Sequence, residues 1–151
     1  MYYKVYSNKT AENTVNFMDE CLAFFPFELT HILTDNGLEF TNRLLVSRKG
    51  EKCQKLSKMD EKCKENNIEH RLTAPFTPKT NGMVERVNGI IKNDTILKTK
   101  YESQLVMKTD LIRFLKYYNL HKRHGGLRKE LKVKTPFDAM QLCYKLKPEI
   151  F

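Results

Sequence analysis

The stretch "HILTDNGLEF", residues 31–40, is a short apolar run that stops at an acid, Asp35, and continues into Asn36-Gly37. Two readings are open. Asn-Gly between apolar stretches is a strong hairpin signal, with Asp35 the polar residue that opens the turn. Alternatively, Asp35 is a metal ligand at the carboxyl end of a strand, which requires a second carboxylate elsewhere in the chain to face it.

On the N-terminal side, "YYKVYS" at 2–7 has the aromatic and β-branched content of a strand. Thr10 is placed to N-cap a helix in which Val15, Met18, Leu22 and Phe25 form one apolar stripe, and Pro26 ends it. Ile32 and Leu33 then form a short strand up to Asp35. Strand, helix, strand in this order predicts an α/β layer arrangement.

On the C-terminal side, residues 41–58 are polar, basic and aperiodic, as expected of a surface insertion. A short helix over Met59–Glu65 and a strand over Ile68–Leu72 follow. The stretch "TAPFTPKTNG", 73–82, reads as a loop because Pro75 and Pro78 oppose regular helix. From about Asn81 to Lys98 the pattern is helical, with Val84, Val87 and Ile91 on one face and Glu85, Asn88, Gly89 and Lys92 on another. Leu111, Ile112, Leu115 and Tyr118 mark a further helix, "HGGL" a turn, and Thr135-Pro136 the cap and first residue of a last helix with Asp138 near its positive end.

The chain has 151 residues, 40% of them hydrophobic and 30% charged, which fits one globular domain with a polar surface. It has neither a long apolar span nor a signal-peptide core, so a soluble, cytoplasmic protein is expected. Cys21, Cys53, Cys63 and Cys143 are too scattered for a disulfide framework, and Cys21 fits a small core position on the first helix. Zinc could be drawn to Cys53, Cys63 and His70, or to His121 and His124, but these spacings match no familiar finger.

Net charge is uneven. Residues 1–40 carry −4, residues 41–69 carry +3, and residues 70–151 carry +10. The last of these, with Tyr and His interleaved as in "KYYNLHKRHGGLRKELKVK" (116–134), has the makings of a polyanion-binding surface; a merely solvated lysine-rich surface is the alternative.

Glu85 is the candidate partner of Asp35. It sits in "KTNGMVERVNGIIK", 79–92, among Lys79, Asn81, Asn88 and Lys92, all able to grip phosphates. Here the sequence resembles the integrase-core (DDE) transposases of bacterial insertion sequences, relatives of retroviral integrase. The resemblance runs through "NKTAENTVNFMDECLAFFPF" (8–27), "ILTDNGLEFT" (32–41), "NNIEHRLTAPFTPKTNGMVERVNGIIK" (66–92), "YYNLHKRHGGL" (117–127) and "TPFDAM" (135–140), in the family's order.

The resemblance implies a ribonuclease-H-like α/β fold with additional C-terminal helices. It makes residues 1–100 a partial catalytic core, with 41–58 inserted, and 101–151 a helical extension of the same domain. It places the second catalytic acid on Asp35 and the third on Glu85, and makes Lys79, Asn81, Arg86, Asn88 and Lys92 DNA-contacting positions; Gly89 stands where a basic residue is common in retroviral members. The implied cofactor is Mg²⁺ or Mn²⁺, two ions in the intact family, which cleave phosphodiesters and transfer strands between carboxylate ligands. The implied partners are DNA, as transposon ends and target, together with further copies or a full-length transposase. No membrane is involved, and a bacterial, nucleoid-associated location follows when DNA is bound.

One departure stands out. "YYKVYSNKT" matches the family's third strand, so an incomplete sheet lacking the first two strands, and with them the first catalytic Asp, is expected. Asp19, on the first helix, cannot replace that residue. At most weak one-ion binding and no activity of the chain by itself are then expected, and the alternatives are a non-catalytic nucleic-acid-binding remnant or a regulatory partner of an intact transposase.

Overall fold

The computed structural model describes residues 1–46, 49–74 and 78–151, and the side chains of all of these except 78–81 and 83. The chain divides into two compact units, Tyr6–Glu85 and Met1–Val5 with Arg86–Phe151.

The Tyr6–Glu85 unit begins with α1, Ala11–Phe24, whose Thr10 cap accepts the Asn13 N–H through its hydroxyl at 3.3 Å. β1, His31–Thr34, pairs in parallel with β2, Glu69–Leu72, in the register His31 to Glu69 through Thr34 to Leu72. Side chains alternate across a strand, so Ile32 and Thr34 share one face with His70 and Leu72. α2, Lys58–Glu65, packs against α1. Between them lies the core of Met18, Met59, Cys63 and Ile68, flanked by Leu22, Leu29 and Ile32. Met18, on the stripe expected from its spacing, is 1% exposed and anchors this layer.

The α2 terminus is specified by Ser57 and Asp60, which cap each other reciprocally: Asp60 N–H donates to Ser57 Oγ at 3.1 Å and Ser57 N–H to Asp60 Oδ2 at 3.4 Å. Among the described residues of 41–57, those on either side of 47–48 bond to one another. Val46 bridges Lys52, Cys53 N–H donates to the Leu45 carbonyl at 2.8 Å, and Asn42 Nδ2 reaches the Lys55 carbonyl at 3.3 Å. The described part of this segment therefore has hydrogen bonds of its own.

α3, Pro78–Ile91, starts three residues before the expected Asn81. Proline opposes a helix interior but suits the first turn, where its missing N–H has no partner to lose. The expectation at Pro75 lies outside the described residues.

In the second unit the expected continuation of this helix to Lys98 gives way to a π-helical turn, Lys92–Ile96, in which Leu97 N–H donates to the Lys92 carbonyl at 2.9 Å. The buried Thr95 hydroxyl takes the Ile91 carbonyl at 2.6 Å, supplying a side-chain partner to the backbone where the α pattern widens. α4, Gln104–Leu120, buries Leu111 and Tyr118. α5 spans Gly125–Leu131, so "HGGL" opens a short helix rather than making a free turn. α6, Pro136–Leu146, has the expected Thr135 cap, completed by Asp138, whose N–H donates to Thr135 Oγ1 at 3.1 Å.

The expected strand over 2–7 does not form. Among the described residues no strand lies beside it to complete a ladder. Its polar groups turn to α4 instead: the Tyr3 hydroxyl donates to the Leu111 carbonyl, and Asn119 Nδ2 to the Met1 carbonyl at 2.8 Å. Burial, reinforced by the negative charge of Asp110, pushes the Tyr3 phenol up to about 12.

Candidate active site at the strand ends

β1 ends at Thr34, and the next four residues are shaped by local hydrogen bonds. Asp35 Oδ1 accepts the Gly37 N–H at 2.9 Å, an Asx turn, and the Gly37 carbonyl accepts Phe40 N–H at 2.9 Å and Thr41 N–H at 3.1 Å. The turn is fastened to the end of β2, because Thr73 N–H donates to the Thr34 carbonyl at 2.9 Å and Asn36 Nδ2 donates to the Thr73 carbonyl at 3.2 Å. The hairpin reading of Asn36-Gly37 is thus overturned: β1 runs parallel to its partner, and the turn leads out of the sheet. A Cβ on Gly37 would lie 2.5 Å from Glu39 Oε2, and the Glu39 carboxylate is itself held by Lys9 at 2.7 Å. A side chain at 37 would therefore require the flexible Glu39 carboxylate to move aside.

Asp35 is exposed, and among the described residues its Oδ2 has no hydrogen-bond partner. Glu85 is also exposed, on the eighth residue of α3, in the same compact unit. The two carboxylates carry no hydrogen bond to one another, and among the described residues no group of three His, Cys, Asp or Glu side chains is gathered to hold a metal. Arg86, Asn88 and Lys92 are exposed and belong to the second unit. The side chains of Lys79 and Asn81 lie outside the described ones.

Directly beneath the Asp35 turn lies a polar network that sequence reasoning did not find. Thr34 Oγ1 is 3.0 Å from the Asp35 carbonyl, to which it donates, and 2.8 Å from His70 Nε2. His70 Nδ1 is 2.7 Å from Asp60 Oδ1. Asp60 also pairs with Arg43, whose Nη1 donates to the His70 carbonyl at 3.1 Å. The Ser57 hydroxyl lies 2.9 Å from Asp60 Oδ2 and 2.6 Å from the Phe40 carbonyl. The side chains of His70 and Asp60 are 2% and 3% exposed. Burial alone would raise the Asp60 carboxyl; hydrogen bonds from His70 and Ser57 and the Arg43 charge outweigh it and hold the group below the ordinary aspartate range. His70 was legible only as a stray zinc candidate, whereas its ring is taken up by Thr34 and Asp60, and Cys63 lies in the core.

In the second unit the basic residues cluster around α4 and α5. Lys122 pairs with Asp94, which Lys98 also reaches at 3.4 Å. His124 stacks edge-on against Tyr118 at 4.7 Å between ring centroids, and burial, followed by the charges of Lys122 and Arg86, lowers its pKa.

Three comparisons bear on these features. The integrase core domain family matches residues 66–131, a segment that includes β2, α3 and Glu85. A protein named as an integrase, ORF3 of Spiroplasma virus SpV1-C74, is 25% identical over 141 residues, covering 90% of this chain; the chain spans 37% of that protein's length. The catalytic core domain of BIV integrase superposes with a TM-score of 0.62 at 18% identity, covering 95% of this chain and 79% of that one. A chain of the simian T-cell lymphotropic virus intasome, in complex with the PP2A regulatory subunit B56 gamma, gives 0.65 at 22% identity, covering 88% and 41%.

The fold is that of a ribonuclease-H-like integrase catalytic core. Within that fold, residues 66–131 match the integrase core domain, and the chain is similar over most of its length to one viral protein named as an integrase. Among the described residues no helix is long and apolar enough to cross a membrane.

Proposed function

We propose that this chain is a DNA-directed integrase or transposase core in which Asp35 and Glu85 are ligands for Mg²⁺ or Mn²⁺. The observation that carries this reading is the Asp35 turn. An exposed aspartate leaves the carboxyl end of a parallel strand with one oxygen engaged by Gly37 and the other without a described partner, next to the strand end from which the chain runs on towards Glu85. Open-face crevices at strand carboxyl ends are where α/β folds place their ligands. Exposed carboxylate oxygens fit a hard divalent cation, which keeps waters that a substrate phosphate can replace. Bound there, such an ion would polarise a phosphodiester and favour formation of the attacking oxygen nucleophile.

The chain's own residues would do the rest. Asp35 presents Oδ2 from a turn fixed at both strand ends, and Glu85, on α3, would supply the second carboxylate. Lys79, Asn81, Arg86, Asn88 and Lys92 follow along the same helix and its extension, where they would hold DNA phosphates. With two carboxylates, a single weakly held ion is the expected occupancy. The relatives named for an integrase and an intasome support DNA and further integrase chains as partners. Calorimetric titration with Mn²⁺ tests the metal assignment: one weak site is expected, absent in both Asp35→Asn and Glu85→Gln, and a site unaffected by either substitution would refute it.

A second reading, a nucleic-acid-binding protein without catalysis, is favoured by the +10 charge of residues 70–151. DNA binding that persists unchanged in Asp35→Asn, with no Mn²⁺ bound by the unaltered chain, would support it.

A further inference from the structure

We propose that His70 is a positioning residue for Asp35, acting through the Thr34 hydroxyl, with Asp60 and Arg43 holding the imidazole in place; the inference rests on the metal-ligand reading of Asp35. Three contacts run in series from Asp60, which two further side chains hold. Arg43 and Ser57 fix Asp60, and Asp60 Oδ1 meets His70 Nδ1 at 2.7 Å. His70 Nε2 meets Thr34 Oγ1 at 2.8 Å, and that hydroxyl donates to the Asp35 main-chain carbonyl at 3.0 Å. Each ring nitrogen is thereby committed to one partner, which fixes the orientation of the ring. The chain of contacts ends on the backbone of the residue whose carboxylate faces solvent.

Stability alone is a poor reason for this arrangement. Burying a carboxylate beside an imidazole and a guanidinium carries a desolvation penalty, and apolar side chains of similar volume often do as well or better in such a place. The adjacent core of Met18, Met59, Cys63 and Ile68 shows that this unit packs apolar side chains readily. Directional hydrogen bonds add what apolar packing does not, a set orientation of the strand end. Ile32 and Leu72, which share the sheet face with His70 and Thr34, have no such means of fixing a carbonyl. Partners that orient a metal ligand without touching the metal typically change affinity by roughly 10–100-fold when removed.

Thr34→Val keeps the β-branched shape and removes the hydroxyl, while leaving the Asp60–His70 contact untouched. In the full chain, Mn²⁺ is titrated and the broadening of amide resonances near Asp35 is followed by NMR, alongside thermal unfolding. The expected result is a loss of about tenfold in Mn²⁺ affinity for Thr34→Val and recovery to within about threefold of the original for Thr34→Ser. His70→Ala is expected to lose a similar amount, and the double variant Thr34→Val/His70→Ala no more than either alone, because both cut the same path. The Gly37 amide, which reports the Asp35 turn, should shift in Thr34→Val even without metal. Unchanged Mn²⁺ affinity in Thr34→Val overturns the positioning role, and so does a loss that Thr34→Ser does not recover. Absence of broadening near Asp35 in the unaltered chain overturns the metal reading itself, and the two failures are told apart by that control. Should His70→Ala not fold, the Thr34 pair still decides.

Discussion

Asn36 Nδ2 donates to the Thr73 carbonyl at 3.2 Å, so the turn that presents Asp35 is stitched to the adjacent carboxyl end of the neighbouring strand, 37 positions along the chain. One side-chain amide thereby couples the two strand ends around the candidate site. Asn36→Ala removes it and leaves a partly buried carbonyl unpaired, for which a loss of about 1–3 kcal/mol is expected. Urea unfolding checks this: the midpoint falls while the slope is retained, as for a local loss within an unchanged fold.

Asp60 confers an acid-side dependence of stability. Its folded pKa lies below that of an ordinary aspartate, because hydrogen bonds and the Arg43 charge outweigh the opposing effect of burial. The unfolded chain therefore takes up the proton first as pH falls. The stabilisation is complete above the unfolded value of about 3.9, and drains away as pH falls from there through the lower folded value. Thermal unfolding followed from pH 7 downward should show this slope in the unaltered chain and a shallower one in Asp60→Asn. Asp60→Ala at neutral pH leaves the buried His70 ring without its partner, while the half-exposed Arg43 can turn to water, and should lose about 1–3 kcal/mol. A loss below about 1 kcal/mol would place the network outside the energetics of the fold.

Thr135 closes the N-terminus of α6 by accepting the Asp138 N–H at 3.1 Å, and Asp138 Oδ2 in turn accepts the Thr135 N–H at 3.0 Å. Thr135→Ala should lose about 1 kcal/mol, Thr135→Ser nearly nothing, both read from denaturant midpoints. Equal losses in the two would show that the methyl group, not the hydroxyl, matters there.

DNA binding should be electrostatic and nearly indifferent to sequence. Arg86 and Lys92 are exposed, and the basic residues of the C-terminal half outnumber its acids seventeen to seven. Fluorescence anisotropy with two unrelated duplexes should show affinity falling steeply with salt. Lys92→Ala or Lys79→Ala should weaken both duplexes alike and lower the salt slope by about one. Salt-insensitive binding would contradict the assignment.

What could be read from the chain in advance followed from short-range physics. Thr10 and Thr135 were legible as caps because capping is decided within four residues, and Met18 as core because helical spacing exposes one stripe. The resemblance drawn from the motifs around Asp35 and Glu85 agrees with the integrase-core fold, and for the stretch holding Glu85 also with the match over residues 66–131. Residues 2–7 were misread because strand composition says nothing about whether a neighbour is there to pair with, and here the segment bonds to α4. "HGGL" was misread because two glycines signal a turn, although Gly125 opens α5 directly after the His124 cap. The network of Thr34, Arg43, Ser57, Asp60 and His70 was invisible for a different reason. Its members come from four separate stretches and meet only when β1 and β2 pair and α2 packs behind them, so no local pattern announces them.

In the proposed site Asp35 and Glu85 converge on one divalent ion. A crystal of the chain soaked in Mn²⁺, with anomalous scattering recorded, tests this most directly. One anomalous peak is expected, held jointly by the Asp35 and Glu85 carboxylates. The peak should vanish in Asp35→Asn. Ordered carboxylates directed to opposite faces, or a peak held by one of them without the other, would contradict it.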